Sequence, residues 1–181
     1  MPVIYTIGHS TRPIDEFIDL LNSHEITQLV DIRTVPKSRH NPQYWRDALQ
    51  QSLEAVGIDY VYMKSLGGLR PKVKESINDG WRNQSFRNYA DYMQTDEFAS
   101  AVEELIVLAR EKTTAIMCAE AVPWRCHRSL VSDALLVRGI ESCEIISASS
   151  ERLHKMTPFA VVDGTTITYP KSELSHLDEG T

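Results

Sequence analysis

A chain of 181 residues, 42% apolar and 24% charged, is long enough for one domain with a sizeable core, and its composition is that of an ordinary globular protein. Its net charge of −6 argues against a protein that coats DNA indiscriminately, and no run approaches the ~18 apolar residues of a membrane span. Three cysteines without framework spacing point to reduced thiols, and a start MPVIYTIGHS without a charged n-region or long apolar stretch makes the cytoplasm the expected compartment.

Residues 3–8, VIYTIG, are a short β-rich run closed by Gly8, which predicts a strand. In 13–24, Ile14, Phe17, Ile18 and Leu21 fall at helical spacing, with Thr11 as the expected N-cap and Pro13 early in the helix. QLVDIR (28–33) reads as a second strand, and 44–57 as a helix closed by Gly57. DYVYMKSL (59–66) reads as a third strand, ended by Gly67 and Gly68. Residues 69–85 are polar, basic and without period, so a long loop is expected, and loops of that length are often functional. The stretch 86–112 is helical with a break near Thr95 and Asp96. A fourth strand (113–120), a helix (127–139, with Leu130, Ala134 and Val137 on one stripe) and a fifth strand (141–147) follow. Asp163-Gly164, between β-rich runs in 159–169, predicts a hairpin with a type I′ turn.

Strand–helix alternation with short connections predicts an α/β fold. We expect a single three-layer domain over 1–150, a mostly parallel sheet with helices on both faces. A C-terminal β-hairpin at 151–170 extends the same domain, and a flexible polar tail occupies 171–181.

Charge is unevenly spread. Between Arg33 and Arg87 ten Lys/Arg stand against five acids, a local net of +5 in a chain of −6. The asymmetry suggests a surface for an anionic partner, and a solvated face of scattered charges is the competing reading.

In an open parallel sheet, ligands bind beyond the carboxyl ends of the strands. That edge collects His9 and Ser10 from strand one, Asp31 and Arg33 from strand two, and Cys118 and Glu120 from strand four. Cys126, His127 and Arg128 follow at the start of the next helix. Cys126, between Arg125 and Arg128 and near a helix N-terminus, has the surroundings that favour a thiolate. A buried inert cysteine under a turn is the alternative. Cys118 suits a buried strand, or reversible disulfide exchange with Cys126, while Cys143 reads as core. His9 is a candidate proton carrier beside the pocket or a structural histidine. Asp31 and Arg33 point to one side of their strand, where they pair with each other or a neighbour, or Arg33 meets a ligand anion while Asp31 orients His9 or a substrate hydroxyl. Trp81 and Arg82, in a Gly-flanked loop, are candidates to stack on a base, and Trp124 is similar. A metal site would draw on Cys118, Cys126, His127 and His9, but C-x7-C-H is not a common zinc spacing.

Three segments carry a resemblance: YTIGHSTRPIDEFIDLL, LVDIRTVPKSRHNPQYW and MCAEAVPWRCHRSLVSDAL, with GWRNQSFRNYADYMQT between them. Together they closely resemble the family catalogued as domain of unknown function 488, from residue 3 to about 150. The resemblance implies a single α/β domain and groups Gly8, His9, Ser10, Asp31, Arg33, Pro36, Cys118, Glu120, Cys126, His127 and Arg128 without giving them roles. Cys118 followed by Arg125 is also similar to the strand–Cys–loop–Arg arrangement of rhodaneses and cysteine phosphatases, with a spacing one residue longer than theirs.

The leading expectation is a cysteine-dependent enzyme acting on an anionic small molecule, a nucleotide or a nucleic-acid base. Cys126 is the first candidate nucleophile, with Cys118, His9, His127, Glu120 and Asp31 in the catalytic group. Arg33, Arg125, Arg128, Ser10, Trp81 and Arg82 form the substrate-binding group. A non-catalytic nucleotide or nucleic-acid binding module is the alternative, and a Cys/His metalloprotein the second. No cofactor, membrane partner or oligomeric state is indicated.

Overall fold

The computed structural model describes residues 3–171, so the tail expected at 171–181 falls, from 172 onward, outside the described residues. The chain runs β1 (Val3–Gly8), α1 (Ile14–Ser23), β2 (Gln28–Asp31), α2 (Arg46–Glu54), β3 (Asp59–Tyr62), α3 (Gln84–Tyr92), α4 (Asp96–Glu111), β4 (Thr114–Cys118), α5 (Arg128–Leu136) and β5 (Glu141–Ser147). Then come β6 (Ser150–Leu153), β7 (Val161–Asp163) and β8 (Thr166–Thr168). The first six strands form one sheet in the order β3-β2-β4-β1-β5-β6, parallel except for the β5–β6 edge. β7 and β8 form a separate antiparallel pair.

The order explains the layers. From β1 the chain moves outward through β2 to β3, then returns to insert β4 between β2 and β1 and crosses β1 to reach β5. Right-handed crossovers put helices of outward and returning connections on opposite faces. Phe17, Leu21, Leu49 and Leu53 of α1 and α2 accordingly cover Ile7, Leu29 and Met117 on one face. Val102, Leu105, Ile106 and Leu130 of α4 and α5 cover Ile4, Val30 and Ile116 on the other. β4, central and buried at every residue, alternates Ala115 and Met117 to the first face with Ile116 and Cys118 to the second.

The break in the long helical stretch is real. Thr95 ends the α3 region and caps α4, its hydroxyl accepting from Phe98 N at 3.2 Å. Three local expectations change. Pro13, extended at φ −56° and ψ 147°, is the N-cap of α1, which has no side-chain cap, so Thr11 does not fill that role. The hairpin turn is Gly164-Thr165, because Asp163 pairs with Thr166. Gly164 alone of the turn pair has positive φ (62°), the II′ pattern rather than I′. The third change is β6, which adds an antiparallel edge to the main sheet at Ser150–Leu153, a segment exposed at every position and therefore without an apolar alternation to read.

The loops after β1 and β2 leave toward α1 and α2, whereas the loop after β4, between those two strands, leaves toward α5. The crevice at the carboxyl end of β4 is thus a topological switch point, where open sheets place their ligands.

Candidate functional site

Cys118 ends β4, and the chain returns to it within eight residues. A 3-10 turn over Pro123–Arg125 folds the loop back, so that Cys126 arrives beside the strand end. The sulfurs of Cys118 and Cys126 are in contact, with Cα atoms 7.3 Å apart. Of the two readings of these thiols, all three reduced or a reversible Cys118–Cys126 disulfide, the structure has the second, and Cys143 alone is free among the described residues. The spacing allowed the contact, and the folded turn at Pro123–Arg125 makes it.

Each sulfur has its own surroundings. Arg128, fully buried, donates from Nη1 to Cys118 Sγ at 2.7 Å and to the Glu120 carbonyl. Its Nη2 donates to the Ala121 carbonyl at 2.9 Å and to Glu144 Oε1 at 3.0 Å. The guanidinium therefore ties the cysteine loop to β5 and places positive charge on the Cys118 sulfur. Cys126 Sγ instead receives the first N–H of α5, from Arg128 N at 3.5 Å, and lies 3.6 Å from His127 Nδ1. His127 Nε2 is 3.1 Å from the Ile32 carbonyl. A carbonyl only accepts, so Nε2 carries the proton and Nδ1 presents a lone pair toward the sulfur. Burial lowers the His127 pKa to about 4, against hydrogen bonds to the Ile32 and Leu66 carbonyls that raise it. The ring fits because its neighbour is glycine: a Cβ on Gly68 would sit 2.6 Å from Nδ1. Gly8 answers a similar demand, since a Cβ there would strike the Glu120 carbonyl.

The two sulfurs open onto a cavity of about 310 Å³ lined also by Arg33, Lys37, Arg125 and His127. Glu120 is at its edge. Arg125 is exposed and has no ion-pair partner among the described residues, so a cation faces the opening. Lys37 lies over the Trp45 ring at 4.7 Å.

Asp31 and Arg33 pair with each other. Arg33 donates from Nε to Oδ1 at 2.9 Å and from Nη2 to Oδ2 at 2.7 Å, and Tyr60 OH donates to Oδ2. Arg33 Nη1 reaches His9 Nε2 at 3.5 Å. His9 donates from Nδ1 to the Ser10 carbonyl at 2.7 Å and stacks on Tyr44 with centroids 4.1 Å apart. Burial lowers its pKa to about 4, so it is a neutral ring with both nitrogens engaged. Asp31 therefore meets His9 only through Arg33.

Of the twelve site residues drawn from the sequence, Arg33, Cys118, Glu120, Arg125, Cys126 and His127 line this cavity. His9 and Asp31 stand behind its wall through Arg33, and Ser10, with a positive φ of 51°, shapes the turn after β1. Arg128 and Trp81 line a different cavity, described below, and the exposed Arg82 lines neither. Sequence reasoning did not select Lys37, Gly68 or Glu144. Lys37 was legible as a cation just beyond β2, whereas Glu144 becomes relevant only through its contact with Arg128.

The family model described as Domain of unknown function DUF488 matches residues 13–135, well over half of the chain. The chain belongs to the DUF488 family. No curated protein and no solved structure matches it. The DUF488 match ends inside α5, so it takes in Arg33, both paired cysteines, His127 and Arg128 but not Glu144. Among the described residues of this DUF488 chain, no group of three or more His, Cys, Asp or Glu side chains is arranged to hold a metal. No helix of the described residues is long and apolar enough to cross a membrane.

Both lowered histidines bear on stability. The unfolded imidazoles bind a proton near pH 6.5, whereas His9 and His127 in the fold do so near 4. Between these values the unfolded chain holds more protons, so stability is full above pH 6.5 and falls as the pH drops toward 4. Lowering the pH from 7 to 5 is expected to cost roughly 4 kcal/mol from the two together. Urea unfolding at a series of pH values measures it, and a flat profile would show that the rings are not held neutral.

Proposed function

We propose that this DUF488 chain is a thiol-dependent enzyme that acts on a small anionic molecule through the Cys118–Cys126 pair. One observation carries the reading: two sulfurs in contact at the floor of a cavity that also presents Arg33, Lys37 and Arg125. A volume of about 310 Å³ lies at the small end of ligand pockets and suits a compact anion or a single base.

The pair divides its labour. An incoming thiol reductant opens the disulfide by attack on Cys126 Sγ. The Cys118 thiolate leaves, its charge held by the Arg128 guanidinium at 2.7 Å. A second reductant thiol releases Cys126, and the two electrons of the reductant complete the dithiol. Cys126 is then the nucleophile toward the cavity, with the first N–H of α5 favouring its thiolate. His127 Nδ1 is the nearest proton acceptor to Cys126 Sγ. Because His127 is neutral with a pKa near 4, no resting thiolate–imidazolium pair forms, and the proton passes only transiently. Arg33 and Arg125 bind the anion, and Glu120 faces it as a second acid or base.

The test is alkylation of the reduced protein by iodoacetamide across pH, read at each cysteine by mass spectrometry. Cys118 is expected to titrate lowest and Cys126 below the reference of about 8.5. Oxidation should block both, while Cys143, whose thiol burial pushes up, reacts slowly in either state. Unperturbed titration of both paired cysteines would sink the thiol reading and leave a binding module.

A further inference from the structure

Independently of the thiol reading, we infer a second ligand site, for a flat heteroaromatic molecule carrying a phosphate or similar anion, in the cavity between α5, the β5–β6 edge and the segment 154–159. This cavity is about 630 Å³, twice the first, and within the range of ligand pockets. Its walls are of two kinds. Trp81, Phe86, Trp124 and Phe159 supply aromatic surface, and Trp124 stands 62% exposed at the rim. Arg152 and Lys155 supply cations whose side chains have no hydrogen-bond or ion-pair partner among the described residues. Glu144, the acid on this wall, is already neutralised by Arg128.

Two orphaned donors point to an acceptor-bearing guest. Only three buried side-chain nitrogens and oxygens among the described residues lack a partner, and two belong to residues lining this cavity: Trp81 Nε1 and Arg128 Nε. Arg128 is fully buried. A buried N–H without an acceptor is costly, and ring nitrogens or phosphate oxygens would accept from both once the walls adjust.

The cavity is held open by a built frame. Asp133, fully buried, accepts from His154 Nε2 at 2.7 Å, Thr157 Oγ1 at 2.6 Å and Tyr169 OH at 2.8 Å. Trp81 packs edge-on against Phe159 at 4.8 Å and Phe86 at 5.0 Å. The segment 154–159 is thereby fixed as a wall.

Adenosine 5′-monophosphate titrated into the full chain, followed by tryptophan fluorescence and calorimetry, tests the inference. Saturable binding at one site is expected. Trp124→Leu should weaken it by about tenfold or more, the loss of one base-stacking surface. The paired change Arg152→Gln with Lys155→Gln should weaken it by a similar factor and flatten its salt dependence. Lys37→Gln, in the first cavity, should leave it unchanged, which separates this site from the thiol site. Adenosine alone and inorganic phosphate alone should each bind more weakly than the monophosphate. Absence of saturable binding to the folded chain, indifference to Trp124 and the Arg152/Lys155 pair, or loss on Lys37→Gln would each overturn the assignment.

Discussion

Arg128→Met is expected to destabilise the fold by about 3–5 kcal/mol, the cost of removing one partner from a buried ion pair. The guanidinium is fully buried and its two terminal nitrogens serve four acceptors on three segments: the Cys118 sulfur, the Glu120 and Ala121 carbonyls and the Glu144 carboxylate. Methionine fills much of the volume but leaves the carboxylate, 12% exposed, without its cation and two loop carbonyls without donors. Urea unfolding should show a lower midpoint at unchanged slope. Arg128→Lys separates structure from chemistry. Lysine keeps the charge but not the planar fork, so the loop loses its simultaneous grip on β4 and β5. If the lysine variant folds, Cys118 should titrate at higher pH than in the parent, a readout that a purely structural arginine would not move. A methionine variant as stable as the parent would remove Arg128 from its place at the centre of the site.

The residues that make this site differ in how far the sequence reveals them. The edge on which it forms was legible, because parallel strands are apolar runs ending in Gly8, Asp31 and Cys118, and such runs fix which ends face the crevice. Pairing of Asp31 with Arg33 was also legible as one of two readings, since the sequence sets them at alternate positions of one run, although β2 itself ends at Asp31. Side-chain direction beyond a strand end was not. His9 leaves β1 at the right edge but turns onto Tyr44, a partner 35 residues on in a 3-10 turn. Trp81 sits in the expected loop, yet Phe159 and Tyr169, from far along the chain, cover it. Arg128 reads as an anion-binding cation in the string WRCHR, whereas its complete burial depends on Glu144 arriving from β5. Local pattern carried the sheet and the edge on which these residues gather; the tertiary meetings of distant polar residues set their contacts.

Asp31→Asn is expected to cost a further few kcal/mol, again about 3–5, with a double variant that recovers part of the loss. Asp31 is fully buried and accepts from Arg33 N at 3.1 Å, Arg33 Nε at 2.9 Å, Arg33 Nη2 at 2.7 Å and Tyr60 OH at 2.5 Å. Burial and the neighbouring carboxylate push the Tyr60 hydroxyl up, so it stays a donor. Asparagine keeps one acceptor oxygen and turns an NH₂ toward donors, leaving the Arg33 guanidinium, 6% exposed, without a counter-charge. Arg33→Met alone leaves the opposite charge buried and is expected to cost a similar amount. Combined, neither charge remains, so the two losses should fall short of additivity by about 1–3 kcal/mol. The consequence reaches the cavity, because Arg33 both lines it and holds His9 Nε2. Released from that cation, His9 should titrate higher, and the pH dependence of stability should shrink in the double variant. Strict additivity of the two substitutions would mean that the bidentate pair is two independent solvated groups, and the chain from Tyr60 through Asp31 and Arg33 to His9 would not exist as a unit.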